Sequence, residues 1–125
     1  KPVLARGEFP CIGATTPDEF HQFIATDQAL CRRFQLVKVE EPSASQTLEI
    51  LRGIKGVFEE HHQVKISDKS LKICVELTER HLLEQSFPGK AIKMLDSACA
   101  AAAFESLDEV KPNFIKHEFE RMEGY

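Results

Sequence analysis

Residues 11–34 read CIGATTPDEFHQFIATDQALCRRF. Two apolar residues, Cys11 and Ile12, run into Gly13-Ala14-Thr15-Thr16-Pro17, an order that predicts a short strand turning into a helix. The residue before a proline is biased away from helix, so Thr16 reads as the N-cap, with Pro17 in the first helical position and Glu19 in the third. The helix is expected over 17–25, with Phe20, Phe23 and Ile24 facing inward. The stretch closes on Arg32-Arg33, followed by Phe34-Gln35-Leu36-Val37-Lys38-Val39, whose alternation predicts a strand over 33–39. Upstream, 9–12 is expected to be a short strand, and 1–8 the tail of a helix with Gly7 at its left-handed cap. Residues 1–41 thus read as two strands and a helix, half of an α/β sheet. Two strands alone are marginal in water, so this part is expected to need partners upstream. Taken singly, Gly-Ala after a strand is commonly a tight turn, and an arginine pair is commonly a solvated face.

Glu40-Glu41-Pro42 is the clearest linker in the chain, and beyond it the pattern becomes helical. Ser43 and Gln46 form a capping box in front of the stripe Leu48, Leu51, Ile54 and Phe58. A short strand, Val64-Lys65-Ile66, leads to a second helix capped by Ser67 or Asp68, with Leu71, Cys74, Val75 and Thr78 inward. The turn Phe87-Pro88-Gly89 opens a third helix, with Ala91, Ile92, Leu95, Ala98, Cys99 and Ala102 inward; its alanine run has high helix propensity. Lys111-Pro112 breaks the chain again, and Phe114, Ile115, Phe119 and Met122 mark a short amphipathic helix.

Composition narrows the classes. With 125 residues the chain is about one domain, and 42% hydrophobic with 29% charged is ordinary for a globular protein. A net charge of −4 argues against a nucleic-acid partner and against a helix-turn-helix regulator, which would leave a basic stripe. No apolar run approaches the ~20 residues needed to cross a bilayer and no signal-peptide pattern opens the chain, so no membrane association and a cytoplasmic location are expected. Cys11, Cys31, Cys74 and Cys99 are far apart and read as free thiols, Cys74 and Cys99 on apolar helix faces. His61-His62 is adjacent and cannot present both rings to one metal from one helical face; no metal site is expected.

The order of short blocks carries more than any one of them. Leu4-Ala5-Arg6-Gly7-Glu8, the Cys11–Thr16 segment, Asp27–Phe34, Val39–Ser43, Ile50–Lys55, His61–Asp68 and Phe87–Ile92 follow one another with a spacing that resembles the first AAA+ module of the Clp-type unfoldases and disaggregases. The likeness starts just after the Walker B motif and runs through the small lid subdomain, from about Lys1 to about Ala103. It implies a mixed α/β fold: a partial AAA+ large subdomain over 1–41 (two strands plus a helix) and a mostly helical AAA+ lid over 42–105. A C-terminal linker or short helix is left over 106–125.

The same resemblance implies roles by position. Thr16 matches sensor 1, a hydroxyl placed near the γ-phosphate or the attacking water. Arg32 and Arg33 match the arginine fingers, which reach into the nucleotide site of the next subunit. An arginine supplied in trans can be worth about 10³ to 10⁵ in rate, and its planar, permanently charged fork suits phosphate better than lysine does. Ile50 and Leu51 would contact the adenine, and Pro88, Lys90 and Ala91 would line its pocket. Gly89 stands where the family usually has an acid, and Cys31 where it commonly has Glu. The cofactors implied are ATP and Mg²⁺ in the parent protein, and the partners are identical subunits in a hexameric ring and polypeptide substrates. The lack of an evident coiled-coil middle segment leans towards an unfoldase with a peptidase partner.

No G-x-x-x-x-G-K-[S/T] and no apolar run ending in Asp-Glu occurs in the sequence. The chain alone is therefore expected to be inactive and to bind no nucleotide tightly: a fragment of an ATP-dependent unfoldase that contributes sensor 1, arginine fingers and lid. The alternative is a stand-alone, lid-derived protein-interaction module without ATPase activity.

Overall fold

Side-chain capping sets most of the helix starts in this chain. The computed structural model describes residues 10–124, which divide between Val39 and Glu40 into two units. In the first, the Thr16 hydroxyl accepts the Glu19 amide at 3.1 Å and opens α1 (Pro17–Glu19), which widens at once into a π-helical turn over Phe20–Ile24. The Asp27 carboxylate accepts the Leu30 amide at 3.0 Å and opens α2 (Gln28–Arg33). The helix expected over 17–25 is thus present, but Phe23 is 64% exposed rather than inward, and no described residue of this unit is buried.

The two strands expected in this unit are not formed among the described residues. Phe9 and the helix tail expected over 1–8 lie outside them; residues 10–12 carry no ladder. Beyond α2 the backbone is extended, with Phe34 at φ −120° and ψ 140°, yet residues 34–43 form no ladder among the described residues. A strand owes its stability to a hydrogen-bonded neighbour, and the described residues of this unit supply none. Arg33, placed in the strand by its sequence neighbours, instead ends α2.

The second unit contains every buried residue described. Ser43 and Gln46 make the reciprocal capping box that starts α3 (Ala44–His62), and Gln63 ends it in the left-handed conformation at φ 57°. β1 (Lys65–Ile66) leads to α4 (Asp68–His81), capped by the Ser67 hydroxyl. α5 (Gly89–Phe104), β2 (Glu109–Val110) and α6 (Pro112–Glu123) follow. The strands pair in parallel, Lys65 opposite Glu109 and Ile66 opposite Val110. Leu51, Leu71, Leu95, Val110 and Ile115 are fully buried at the centre, and the inward faces expected of α4 and α5 are inward, with Ile92 half-buried at their edge. α3 turns Leu51 into the core while Leu48, Ile54 and Phe58 flank it.

Residues 106–123 pack onto this core, and 112–123 form a short helix, α6. Ser70 donates its hydroxyl to the Val110 carbonyl at 2.6 Å, and the Lys65 amide donates to the Asp108 carbonyl at 2.8 Å. Ile115 and Phe119 of α6 are buried, and α6 packs on α4 and α5. Among the described residues no helix is long and apolar enough to cross a membrane.

Candidate functional site

The residues singled out by the sequence fall into two groups, one in each unit. Thr16 is exposed, and its oxygen is committed to the Glu19 amide as a helix cap, which leaves its proton available to donate outward. Arg32 and Arg33 occupy the last turn of α2, both exposed, and neither makes a side-chain hydrogen bond or ion pair among the described residues. Two exposed guanidinium groups at the end of a short helix, without a partner among the described residues, can meet an anion supplied from outside it.

The second group is split by burial. Ile50 lies on the outer flank of α3 with 36% of its surface exposed, whereas Leu51 beside it is fully buried. Ile50 can therefore offer an apolar edge to a planar ligand, and Leu51 acts on such a site by holding α3 against the core. α3 packs on α5, whose first turn carries Lys90 and Ala91, and Pro88 caps that turn in a half-buried position. Ala91 is fully buried, and its carbonyl accepts the Cys74 thiol at 3.3 Å.

Lys90 is the residue whose placement differs most from a ligand-facing reading. It is only 7% exposed, and its Nζ donates to the Leu82 carbonyl at 3.0 Å while lying 4.5 Å from the centroid of the Phe87 ring. Leu82 is the C-cap of α4, so the ammonium sits where the helix dipole is negative, and it gains a cation–π contact on its other side. Lys90 thus ties the end of α4 to the start of α5.

Several polar groups escaped sequence reading because their partners are far away in the chain. His62 Nε2 lies 2.8 Å from Asp96 Oδ1 and joins α3 to α5. Arg52 grips Asp68 with two bonds, at 2.7 and 3.0 Å, and also pairs with Glu49. The hydrogen bond from Arg52 holds the Asp68 carboxyl down at about 2. Burial pushes the Cys74 and Cys99 thiols up to about 12, which makes them inert packing groups. Thr47, one turn before Leu51, is fully buried and its hydroxyl oxygen has no hydrogen-bond partner.

A depression of about 1370 Å³ lies elsewhere, between α5, β2 and α6, with Phe104, Leu107, Phe114 and Glu118 in its lining. It contains none of the predicted site residues, and its buried Glu118 carboxylate is already gripped by Arg121 at 2.7 Å. Among the described residues no three His, Cys, Asp or Glu side chains converge as a metal site. Of the predicted base contacts, Ile50 and Pro88 keep exposed apolar surface of the kind a planar base needs, whereas Leu51, Lys90 and Ala91 are buried.

Residues 43–123, the four helices and two strands of the second unit, match the family model described as the AAA lid domain, and the chain belongs to that family. Its lid is of the Clp type. It is 50% identical over 105 residues to the chaperone protein ClpB of Rickettsia felis, covering 84% of this chain and 12% of that protein. Against ClpB of Rhizobium meliloti it is 43% identical over 127 residues, covering 97% and 15%. Among solved structures, it superposes on the extended Saccharomyces cerevisiae Hsp104:casein complex with a TM-score of 0.88 at 36% identity, covering 97% of this chain and 21% of that one. The S. cerevisiae Hsp104–ADP complex gives 0.86 at 37% identity, covering 98% and 22%. The chain thus spans 12% and 15% of the length of those two chaperones.

Proposed function

We propose that this chain is the sensor-1, arginine-finger and lid portion of an ATP-driven, Clp-type protein unfoldase that works as a hexameric ring. The observation that carries the reading is the lid match over 43–123, preceded in the same chain by an exposed, unpaired arginine pair. Relatives solved with ADP and with casein support a nucleotide ligand and polypeptide substrates. Likeness to chaperones across nearly the whole chain weighs against a stand-alone interaction module.

In the assembled protein ATP supplies the phosphoryl group whose transfer to water drives the motion; the phosphate cradle and the magnesium ligands come from other segments. This chain's part is positioning and charge. Arg32 and Arg33 extend to the nucleotide of the neighbouring subunit and neutralise charge on the transferring group, and Thr16 donates its hydroxyl proton near the attacking water. Ile50 and Pro88 cover the base, with Leu51 and Ala91 holding them from the core side.

The test is Arg32→Ala and Arg33→Ala in the full-length protein. Hydrolysis is expected to fall by about 10³ or more, as for arginines supplied in trans, with nucleotide affinity nearly unchanged. A parallel loss of affinity would overturn the trans assignment.

A further inference from the structure

The segment between α4 and α5 is open to solvent at Leu83, Glu84, Gln85 and Ser86, yet it ends in Phe87, which is only 7% exposed. Two charged side chains act on Phe87 from different parts of the chain. Lys90, in the first turn of α5, lies over its ring at 4.5 Å and bonds the Leu82 carbonyl at the start of the segment. Glu41 accepts the Phe87 amide on Oε2 at 3.0 Å, from 46 residues earlier in sequence. A backbone donor paired with a carboxylate makes a charge-assisted bond, stronger than a neutral one.

The position of Glu41 gives this bond its interest. It lies just past the Val39/Glu40 boundary, in Glu40-Glu41-Pro42, where the chain enters the lid ahead of the Ser43 cap. Lys90 fixes the turn to the lid's own helices. The second attachment runs to the entry segment, and Pro88 is the next residue after Phe87.

We propose that Glu41 is a positioning residue for the nucleotide-facing turn: its carboxylate tethers Phe87, and through it Pro88, to the segment by which the chain enters the lid. This rests on the reading that Ile50 and Pro88 cover the base. Displacement of the entry segment is passed to Pro88 through one hydrogen bond, so nucleotide affinity responds to the state of Glu40–Pro42.

The test pairs Glu41→Ala, which removes the acceptor, with Glu41→Gln, which keeps one. In this chain, amide hydrogen exchange at Phe87 is expected to speed about tenfold in the alanine variant, the size of a lost bond of this kind, and to recover in the glutamine variant. In the full-length protein the alanine variant is expected to raise KM for ATP several-fold with little change in kcat, again with recovery by glutamine. Unchanged exchange at Phe87 overturns the tether. Faster exchange with an unchanged KM overturns the positioning role, provided that Ile50→Asp raises KM as a base contact should. If Ile50→Asp also leaves KM unchanged, the nucleotide-facing reading is what has failed, and the positioning role falls with it.

Discussion

The two units use the same local chemistry and reach different ends. Asp27 caps α2 and Ser43 caps α3 with side-chain oxygens accepting amides at 3.0 and 3.1 Å. In the second unit those caps start helices whose apolar faces meet: Leu51, Leu71 and Leu95 have no exposed surface at all. In the first, Leu36, Val37 and Val39 are 68%, 73% and 89% exposed along an extended segment that joins no ladder among the described residues. Capping is a contract between neighbours in sequence and is honoured wherever the residues occur. Burial needs distant partners, and only the lid contains them among the described residues.

The sharpest way to break this contrast is to truncate one leucine in each unit. Leu95→Ala is expected to cost about 2–5 kcal/mol by chemical denaturation, the range for a fully buried leucine. Leu36→Ala is expected to stay within about 0.5 kcal/mol. A comparable loss at Leu36 would mean that the first unit has a core of its own. Caps should separate the units next. Ser43→Ala is expected to lower global stability by about 1 kcal/mol, whereas Asp27→Ala is expected to erode α2 in NMR chemical shifts and leave the global midpoint in place.

The smallest effect expected is on acid stability. Asp68 is held at about 2, below its ordinary 3.8, chiefly by the bond from Arg52. Its folded value is depressed, so what it contributes is complete above roughly pH 4 and disappears as the pH falls through 2. Asp68→Asn is expected to flatten the stability profile across that window and change little at neutral pH. Both partners are solvent-exposed, which keeps the effect small. An unchanged acid limb would show that the pair contributes nothing to folding.

What the sequence made legible follows the same division. The capping box at Ser43, the Ser67 cap and the inward faces of α4 and α5 were readable because each depends on residues within one or two turns. The strands expected over 9–12 and 33–39 were read from alternation, which records a preference for extended backbone but not the presence of a neighbour. β2 was hard to see for the opposite reason: Val110 is the one apolar residue in the polar run 108–113. The stripe Phe114, Ile115, Phe119 and Met122 did mark α6, though not the burial of Glu118 beside it. At the candidate site, the stripe Leu48, Leu51, Ile54 and Phe58 set Leu51 inward and left Ile50 off it, in line with the burial of the two residues, although the family likeness nominated both as base contacts. The sequence could not show that Lys90 turns its charge inward to Leu82.

The two-residue parallel ladder has a bearing on how the lid comes into being. Lys65 pairs with Glu109, so this closure encloses all of α4 and α5. Contacts between residues so far apart must meet the entropy of loop closure before they reward the chain. During synthesis the three long helices can form as each emerges, but the sheet, and the packing of α6 with its buried Ile115 and Phe119 on α4 and α5, must wait until β2 and α6 have been made. A nascent lid is therefore left with an uncovered apolar end until its last helix has been made, which is the interval in which it is most open to misassembly.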